Sequence, residues 1–159
     1  MIDRTTKLLL PVCIVLIIID QWTKQLATQL NSPWHPIPNL RLIWVQNTGS
    51  AFGWFHDWPY YSSIISVLTL IIVVYLTRQM MLHTLKYVKL GYTFIIAGAL
   101  GNCLDRFIYG YVNDFIDIHF GSKHWFVFNL ADAFITIGCL LIIINECYQR
   151  WRAKNTDII

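Results

Sequence analysis

One stretch of this chain constrains its fold more than any other feature. Residues 58–77 are 20 consecutive residues without a charge, and Pro59 near the start suits a first helical turn. A helix needs about 20 mostly apolar residues to cross a bilayer core of about 30 Å. The stretch therefore predicts a helix that crosses a membrane.

Three further apolar runs are too short to cross unless each helix also contains an aspartate. The runs lie at 8–19, 90–104 and 133–145, and the aspartates are Asp20, Asp105 and Asp132. Charged residues within spanning segments are costly and usually have a function. We predict four membrane helices, near residues 8–29, 59–79, 89–109 and 127–148.

The composition agrees with a membrane protein. Charged residues make up 13% of the chain, against about 25% in soluble domains, and apolar residues make up 56%. A soluble domain of 159 residues could not bury so much apolar surface. The net charge of +3 is too small for a nucleic-acid-binding protein, so we expect no nucleic-acid partner.

The first apolar run has one alternative interpretation, a cleaved signal peptide. Arg4 and Lys7 precede an apolar core of 12 residues, as they do in such peptides. However, no small-residue cleavage site follows, and the next residues are Asp20-Gln21-Trp22. We therefore interpret the run as a membrane helix.

The distribution of lysine and arginine indicates the orientation of the helices. If both termini are cytoplasmic, eight of the twelve Lys and Arg residues lie on the inner side. Loops 30–58 and 110–126 then lie outside. The outer loop contains a β-favouring segment at 40–45 and a turn signal at Asn47-Thr48-Gly49, which predict a small hairpin. The expected fold is a single all-α membrane domain, 1–159, with a β-hairpin on its outer face.

Five of the nine acidic residues gather at one level of this topology. They are Asp20, Asp105, Asp114, Asp117 and Asp132. Two of them end the same pattern, Asn-x-x-Asp, at 102–105 and 129–132. An amide and a carboxylate three residues apart share a helix face, so these pairs predict a polar pocket between two helices. The alternative is that the pairs only join helices together, as polar side chains do in membrane bundles.

Three kinds of function fit such a pocket. Two close aspartates can share a proton and activate water for amide hydrolysis. Buried acids also occur in small transporters and channel subunits, although the apolar inner halves of the helices argue against a conduction path. Asp117, His119 and His124 could serve a metal-dependent hydrolase, but their spacing matches no known metal motif. The sequence contains no GxSxG, HExxH or phosphate-binding loop.

The polar motifs together resemble the lipoprotein signal peptidases (signal peptidase II), which are bacterial inner-membrane aspartic proteases. Five segments carry the resemblance, in order along the chain. They are DQWTK at 20–24, NTGSAF at 47–52, AGALGNCLDR at 97–106, GYVNDFID at 110–117 and FNLAD at 128–132.

The resemblance implies that Asp114 and Asp132 form a catalytic dyad. It implies cleavage of diacylglyceryl-modified prolipoproteins just before the lipidated cysteine, near the periplasmic face of the inner membrane. We expect a monomer in the lipid bilayer, without a metal or other cofactor. The remaining expected site residues, which bind substrate or orient the dyad, are Asn47, Gly49, Asn102, Asp105, Arg106, Asn129, Ala131, Asp20 and Lys24.

More specific roles are also expected for some of these residues. Asp105 and Arg106 should form a supporting pair, and Asp20 and Lys24 either pair or position the substrate. Asn102 and Asn129 should orient the dyad, and Asn47 and Gly49 should shape the rim of the pocket. Gly98, Ala99 and Gly101 predict close packing of the third helix. Asp117 is expected in a loop.

Overall fold

A computed structural model describes residues 3–48, 60–121 and 123–156 of the protein. Four helices and four strands follow one another along these residues. In chain order they are α1 (Arg4–Ala27), β1 (Trp34–Ile37), β2 (Leu40–Asn47), α2 (Tyr61–Leu82), α3 (Lys86–Tyr109), β3 (Val112–Phe120), β4 (Lys123–Phe128) and α4 (Leu130–Thr156).

All four helices are long and apolar enough to cross a membrane, as predicted. Helix α3 is central, since 61% of an apolar 18-residue segment of it is buried, against 11–17% of the corresponding segments of the other three helices. It packs against α1, α2 and α4, and the outward faces of those helices expose leucine, isoleucine and valine. Such exposed apolar faces suit contact with lipid.

The helix ends differ from the prediction where capping residues decide them. Helix α1 begins at Arg4 rather than near residue 8, because the Asp3 side chain accepts a hydrogen bond from the Thr6 backbone N–H. Helix α4 begins at Leu130 rather than 127, and residues 127 and 128 belong to β4. Helix α3 ends before Gly110, which has the left-handed φ of 82° that favours glycine.

The described parts of loops 30–58 and 110–126 contain more β-structure than expected. Strands β1 to β4 form one antiparallel sheet in sequential order. The predicted helical membrane fold with a small β-structure is therefore confirmed, but this β-structure is a four-stranded sheet rather than a single hairpin. The segment at 40–45 does lie in a strand, β2. A hairpin turn lies between Ile37 and Leu40, where Asn39 has a φ of 66°. The turn predicted at Asn47-Thr48-Gly49 lies partly outside the described residues, which stop at residue 48 and resume at residue 60.

The register places a set of apolar side chains on one face of the sheet. Two rows of paired residues cross all four strands: Trp34, Leu42, Ile116 and Phe128, then Ile37, Leu40, Ile118 and Phe126. Alternate residues of a strand share a face, so Asp114 projects on the same side as Ile116. We call these eight residues the apolar sheet face. It leads along β3 to Asp114, and Trp34, Ile37 and Phe126 are more than half exposed.

Glycines bring α3 and α4 into close contact. A Cβ atom at Gly98 would overlap the carbonyl oxygen of Ala131, and one at Gly101 would lie 2.5 Å from Asp20 Oδ2. Close packing at Gly98 and Gly101 is therefore confirmed.

One polar group contradicts the prediction that the inner halves of the helices are apolar. Lys89 is buried there and forms an ion pair with Asp3 at 2.9 Å.

Candidate active site

Asp114 lies near the start of β3, where the sheet meets the helices. Its carboxylate accepts hydrogen bonds from Asn47 Nδ2 at 2.7 Å and from Asn129 Nδ2 at 2.6 Å. Asn47 is the last residue of β2, and Asn129 directly precedes α4. Both carboxylate oxygens of Asp114 are therefore held by amides from two other elements.

Asp132 lies in the first turn of α4, where Asn129 caps the helix. The Asn129 side-chain oxygen accepts from the Asp132 backbone N–H at 3.1 Å, and Asp132 Oδ2 accepts from the Asn129 backbone N–H at 3.2 Å. This reciprocal pair of bonds is a capping box, which fixes the Asp132 side chain at the helix N-terminus. The sequence pattern at 129–132 therefore caps the helix, and Asn129 does not lie within it.

Two amides connect the carboxylates. Asn102 on α3 donates from Nδ2 to Asp132 Oδ1 at 2.8 Å. Its Oδ1 accepts from Asn129 Nδ2 at 3.1 Å, and the same Asn129 amide donates to Asp114. Asp114 and Asp132 thus belong to one hydrogen-bond network through Asn102 and Asn129.

A buried cluster of charges lies behind these amides. The Lys24 ammonium lies 2.9 Å from Asp20 Oδ2 and 3.4 Å from Asp105 Oδ2, and it donates to Asn102 Oδ1 at 2.9 Å. The cation that faces Asp105 is Lys24, so the predicted Asp105–Arg106 pair is wrong. Arg106 instead donates to the backbone oxygen of Asn102 at 3.4 Å.

Sequence reasoning missed two members of this cluster. Gln21 donates from Nε2 to Asp20, to the Gly101 carbonyl and to Asp105, at 2.9 to 3.2 Å. Asn113, next to Asp114, donates to Asp105 from its backbone N–H at 2.8 Å. Both residues lie within segments that carry the family resemblance, DQWTK and GYVNDFID, and that membership was the available signal.

The sequence suggested that Asp117 lies in a loop, and this prediction is wrong. It lies in β3, is completely buried and pairs with Arg41 on the adjacent strand, with Nη2 to Oδ2 at 2.6 Å. Alternation along β3 places Asp117 on the opposite face from Asp114. Its role is to join β2 to β3. Within the ranges that the structure describes, no three His, Cys, Asp or Glu side chains come together as a metal site would need.

The surroundings of Asp114 set its acidity. Burial away from water raises the pKa of Asp114 to about 6, the Asn47 hydrogen bond opposes the rise, and the Asp132 carboxylate adds to it. Two carboxyl groups in one network, with one pKa near neutrality, can hold a single proton between them. Such a pair can activate water with its ionised member and donate a hydrogen bond from its protonated member.

Comparison of the sequence with known protein families identifies the family of this chain. A family model described as signal peptidase (SPase) II matches residues 12–148. The chain belongs to the signal peptidase II family. Its type of activity is that of an aspartic peptidase, which agrees with the pair of linked carboxyl groups.

Relatives of this signal peptidase II chain match nearly all of its length. A lipoprotein signal peptidase of Thermodesulfovibrio yellowstonii is 42% identical over 135 residues, which are 83% of this chain and 89% of the relative. One of Pelagibacter ubique is 39% identical over 155 residues, covering 92% and 91%. A bacterial membrane enzyme solved by the in meso method is 27% identical, with a TM-score of 0.78 over 91% of this chain and 90% of its own. These similarities support a lipoprotein signal peptidase, and they do not support a transporter or a metal-dependent hydrolase.

The other expected site residues of this signal peptidase II lie in three kinds of place. Asn47, Asn102 and Asn129 contact the two carboxylates, whereas Asp20, Lys24 and Asp105 form the buried cluster behind them. Ala131 is completely buried against α3, and its N–H donates to Asp20 at 2.9 Å. Gly49 lies outside the described residues.

The raised pKa of Asp114 predicts a pH-dependent stability. The folded protein holds this proton up to about pH 6, whereas the unfolded chain loses it near 3.8, so stability falls as pH rises from about 4 to about 6. The free energy of unfolding of Asp114→Asn minus that of wild type is expected to be larger at pH 8 than at pH 4, by roughly 2 kcal/mol. Thermal unfolding in detergent at both pH values measures this. A difference between the two proteins that is the same at pH 4 and pH 8 contradicts the assignment.

Proposed function

We propose that the protein removes the signal peptide from diacylglyceryl-modified prolipoproteins, with Asp114 and Asp132 as the catalytic dyad. The observation that supports this most directly is the bridge between the two carboxylates through Asn102 and Asn129. Both aspartates are held by amides from other elements, so their positions are fixed before substrate binds. Preorganised groups of this kind are what hydrolysis of an amide requires.

The chemistry follows from the proton shared by the dyad. The ionised carboxylate takes a proton from water, and the resulting hydroxide attacks the carbonyl carbon before the lipidated cysteine. The protonated carboxyl donates a hydrogen bond to the carbonyl oxygen as it becomes negative. The C–N bond then breaks, and a proton passes from the dyad to the leaving amine nitrogen. The products are a free carboxylate on the signal peptide and a new amino terminus on the lipidated cysteine.

The apolar sheet face supports a lipid-bearing substrate. Its two rows of apolar side chains lie on the same side of the sheet as Asp114, and several of them are exposed. A diacylglyceryl group lying on this face would place the modified cysteine beside Asp114. Apolar residues exposed in a continuous patch are typical of a binding surface.

The charge distribution supports an orientation for the whole domain. Asp20 and Lys24 lie near the C-terminal end of α1, Asp105 lies near that of α3, and Asp132 lies in the first turn of α4. All of them therefore lie at one end of the bundle, and the lysine- and arginine-rich helix ends lie at the other. Lysine and arginine are in excess on the cytoplasmic side of membrane proteins. In the proposed orientation the site therefore faces the periplasm, and both termini of the single domain 1–159 are cytoplasmic. We propose a monomer in the inner membrane.

Cleavage of defined substrates tests this proposal. Purified protein in detergent is given a prolipoprotein with the diacylglyceryl modification and the same prolipoprotein without it, both in EDTA. We expect the modified substrate alone to be cut, with the lipidated cysteine as the new amino terminus by mass spectrometry. Cleavage at another bond, or equal cleavage of both substrates, contradicts the proposed substrate. Activity that appears only after a divalent metal is restored contradicts the dyad.

A further inference from the structure

Lys24 has no access to a substrate. It is 2% exposed, and its ammonium is surrounded by Asp20, Asp105 and the Asn102 side-chain oxygen. A protonated lysine has three N–H donors and no acceptor, and these three partners match its three donors. Asn102 lies between Lys24 and the dyad, because its side chain contacts both Lys24 and Asp132.

The position of this cation determines which way the Asn102 amide faces. An amide has an oxygen that accepts and a nitrogen that donates, and the two can exchange places by rotation. Lys24 can only donate, so Asn102 must present its oxygen to Lys24 and its nitrogen to Asp132. Asn129 must then donate to the Asn102 oxygen, and the same Asn129 nitrogen donates to Asp114. One buried charge thus sets the orientation of two amides.

We infer that Lys24 is a positioning residue that orients the Asn102 and Asn129 amides so that N–H groups point at both carboxylates of the dyad. The inference rests on the proposed function of Asp114 and Asp132, and it gives Lys24 a role other than binding substrate. Without the cation, the Asn102 amide can rotate and present its oxygen to Asp132. A carboxylate that loses an N–H donor, or a nearby positive charge, is harder to ionise.

The pH dependence of cleavage distinguishes this role from a structural one. Among the described residues, the charged groups that face the network are Asp20 and Lys24 on α1, Asp105 and Arg106 on α3, Asp114 on β3 and Asp132 on α4. Removing Lys24 alone leaves Asp20 and Asp105 buried without their cation, which could prevent folding. The test therefore uses Lys24→Met combined with Asp20→Asn, which keeps the sum of the charges, and compares it with Asp20→Asn alone.

The pH profile of kcat/KM is expected to lie at higher pH in the double variant than in Asp20→Asn. Asp20→Asn removes a negative charge, so its profile stays in place or moves to lower pH. The double variant also lacks Lys24, so both limbs of its profile move to higher pH by roughly one unit. The profile of each variant is measured well below its own unfolding temperature, with the diacylglyceryl-modified prolipoprotein as the substrate.

Two results would overturn the inference, and each is separable from failure of the proposed function. If the double variant is less stable but has the same profile as Asp20→Asn, Lys24 only stabilises the fold. If its profile moves to lower pH, the cation does not act on the dyad in the direction inferred. An inactive wild-type protein would instead contradict the proposed function itself.

Discussion

Asp114→Asn and Asp132→Asn are each expected to lower kcat for prolipoprotein cleavage by about 10³-fold or more. Asparagine keeps the size of the side chain but can neither take a proton from water nor share one. Because the two carboxyl groups act as a unit, the double variant should be no less active than either single variant. Single-turnover cleavage in detergent measures the effect.

The matched control is Asp3→Asn, which removes a carboxylate at the opposite end of α1. Asp3 caps that helix and pairs with Lys89, far along the chain from the dyad. We expect this variant to keep its activity and to lose some stability, because asparagine still caps the helix but leaves the buried Lys89 ammonium without its carboxylate partner. Thermal unfolding of all the variants establishes that inactive proteins are folded. Near-normal turnover in Asp114→Asn or Asp132→Asn would show that the dyad is wrongly assigned.

Much of this site follows from local sequence patterns, for identifiable reasons. Membrane helices are encoded by apolar runs, three of which reach membrane length by including one aspartate, so their number could be predicted without knowing how they pack. The aspartates stood out because a charge within such a run has to have a partner. The capping box at Asn129 and Asp132 is also local, since its two residues are three apart.

What could not be predicted depends on contacts between distant segments. Strands β3 and β4 have few local signals, since Asp114 and Asp117 interrupt an apolar pattern for reasons that only the assembled sheet shows. Asp105 was assigned to its neighbour Arg106, but the fold brings Lys24 to it from 81 positions earlier in the chain. Local spacing cannot rank such partners. The pairing of Arg41 with Asp117 was missed for the same reason.

Gly98→Ala is expected to lower both stability and kcat, although Gly98 touches the side chain of neither Asp114 nor Asp132 in the described contacts. Its added Cβ would overlap the Ala131 carbonyl oxygen, which belongs to the backbone and cannot rotate away. Helix α4 must therefore move away from α3, at a cost of about 1–3 kcal/mol for overpacking. Thermal unfolding in detergent measures this part of the effect.

The loss of activity should exceed what unfolding explains, because Ala131 lies between Asn129 and Asp132. A shift of α4 moves Asp132 away from Asn102, which is fixed on α3. A displacement of about 1 Å at a reacting group can cost roughly 10²-fold in rate, so kcat should fall by that amount well below the unfolding temperature. Cys139→Leu adds bulk to an exposed position of α4 and should leave kcat unchanged. If Gly98→Ala keeps the wild-type kcat while folded, the close contact of α3 and α4 stabilises the protein without setting the geometry of the dyad.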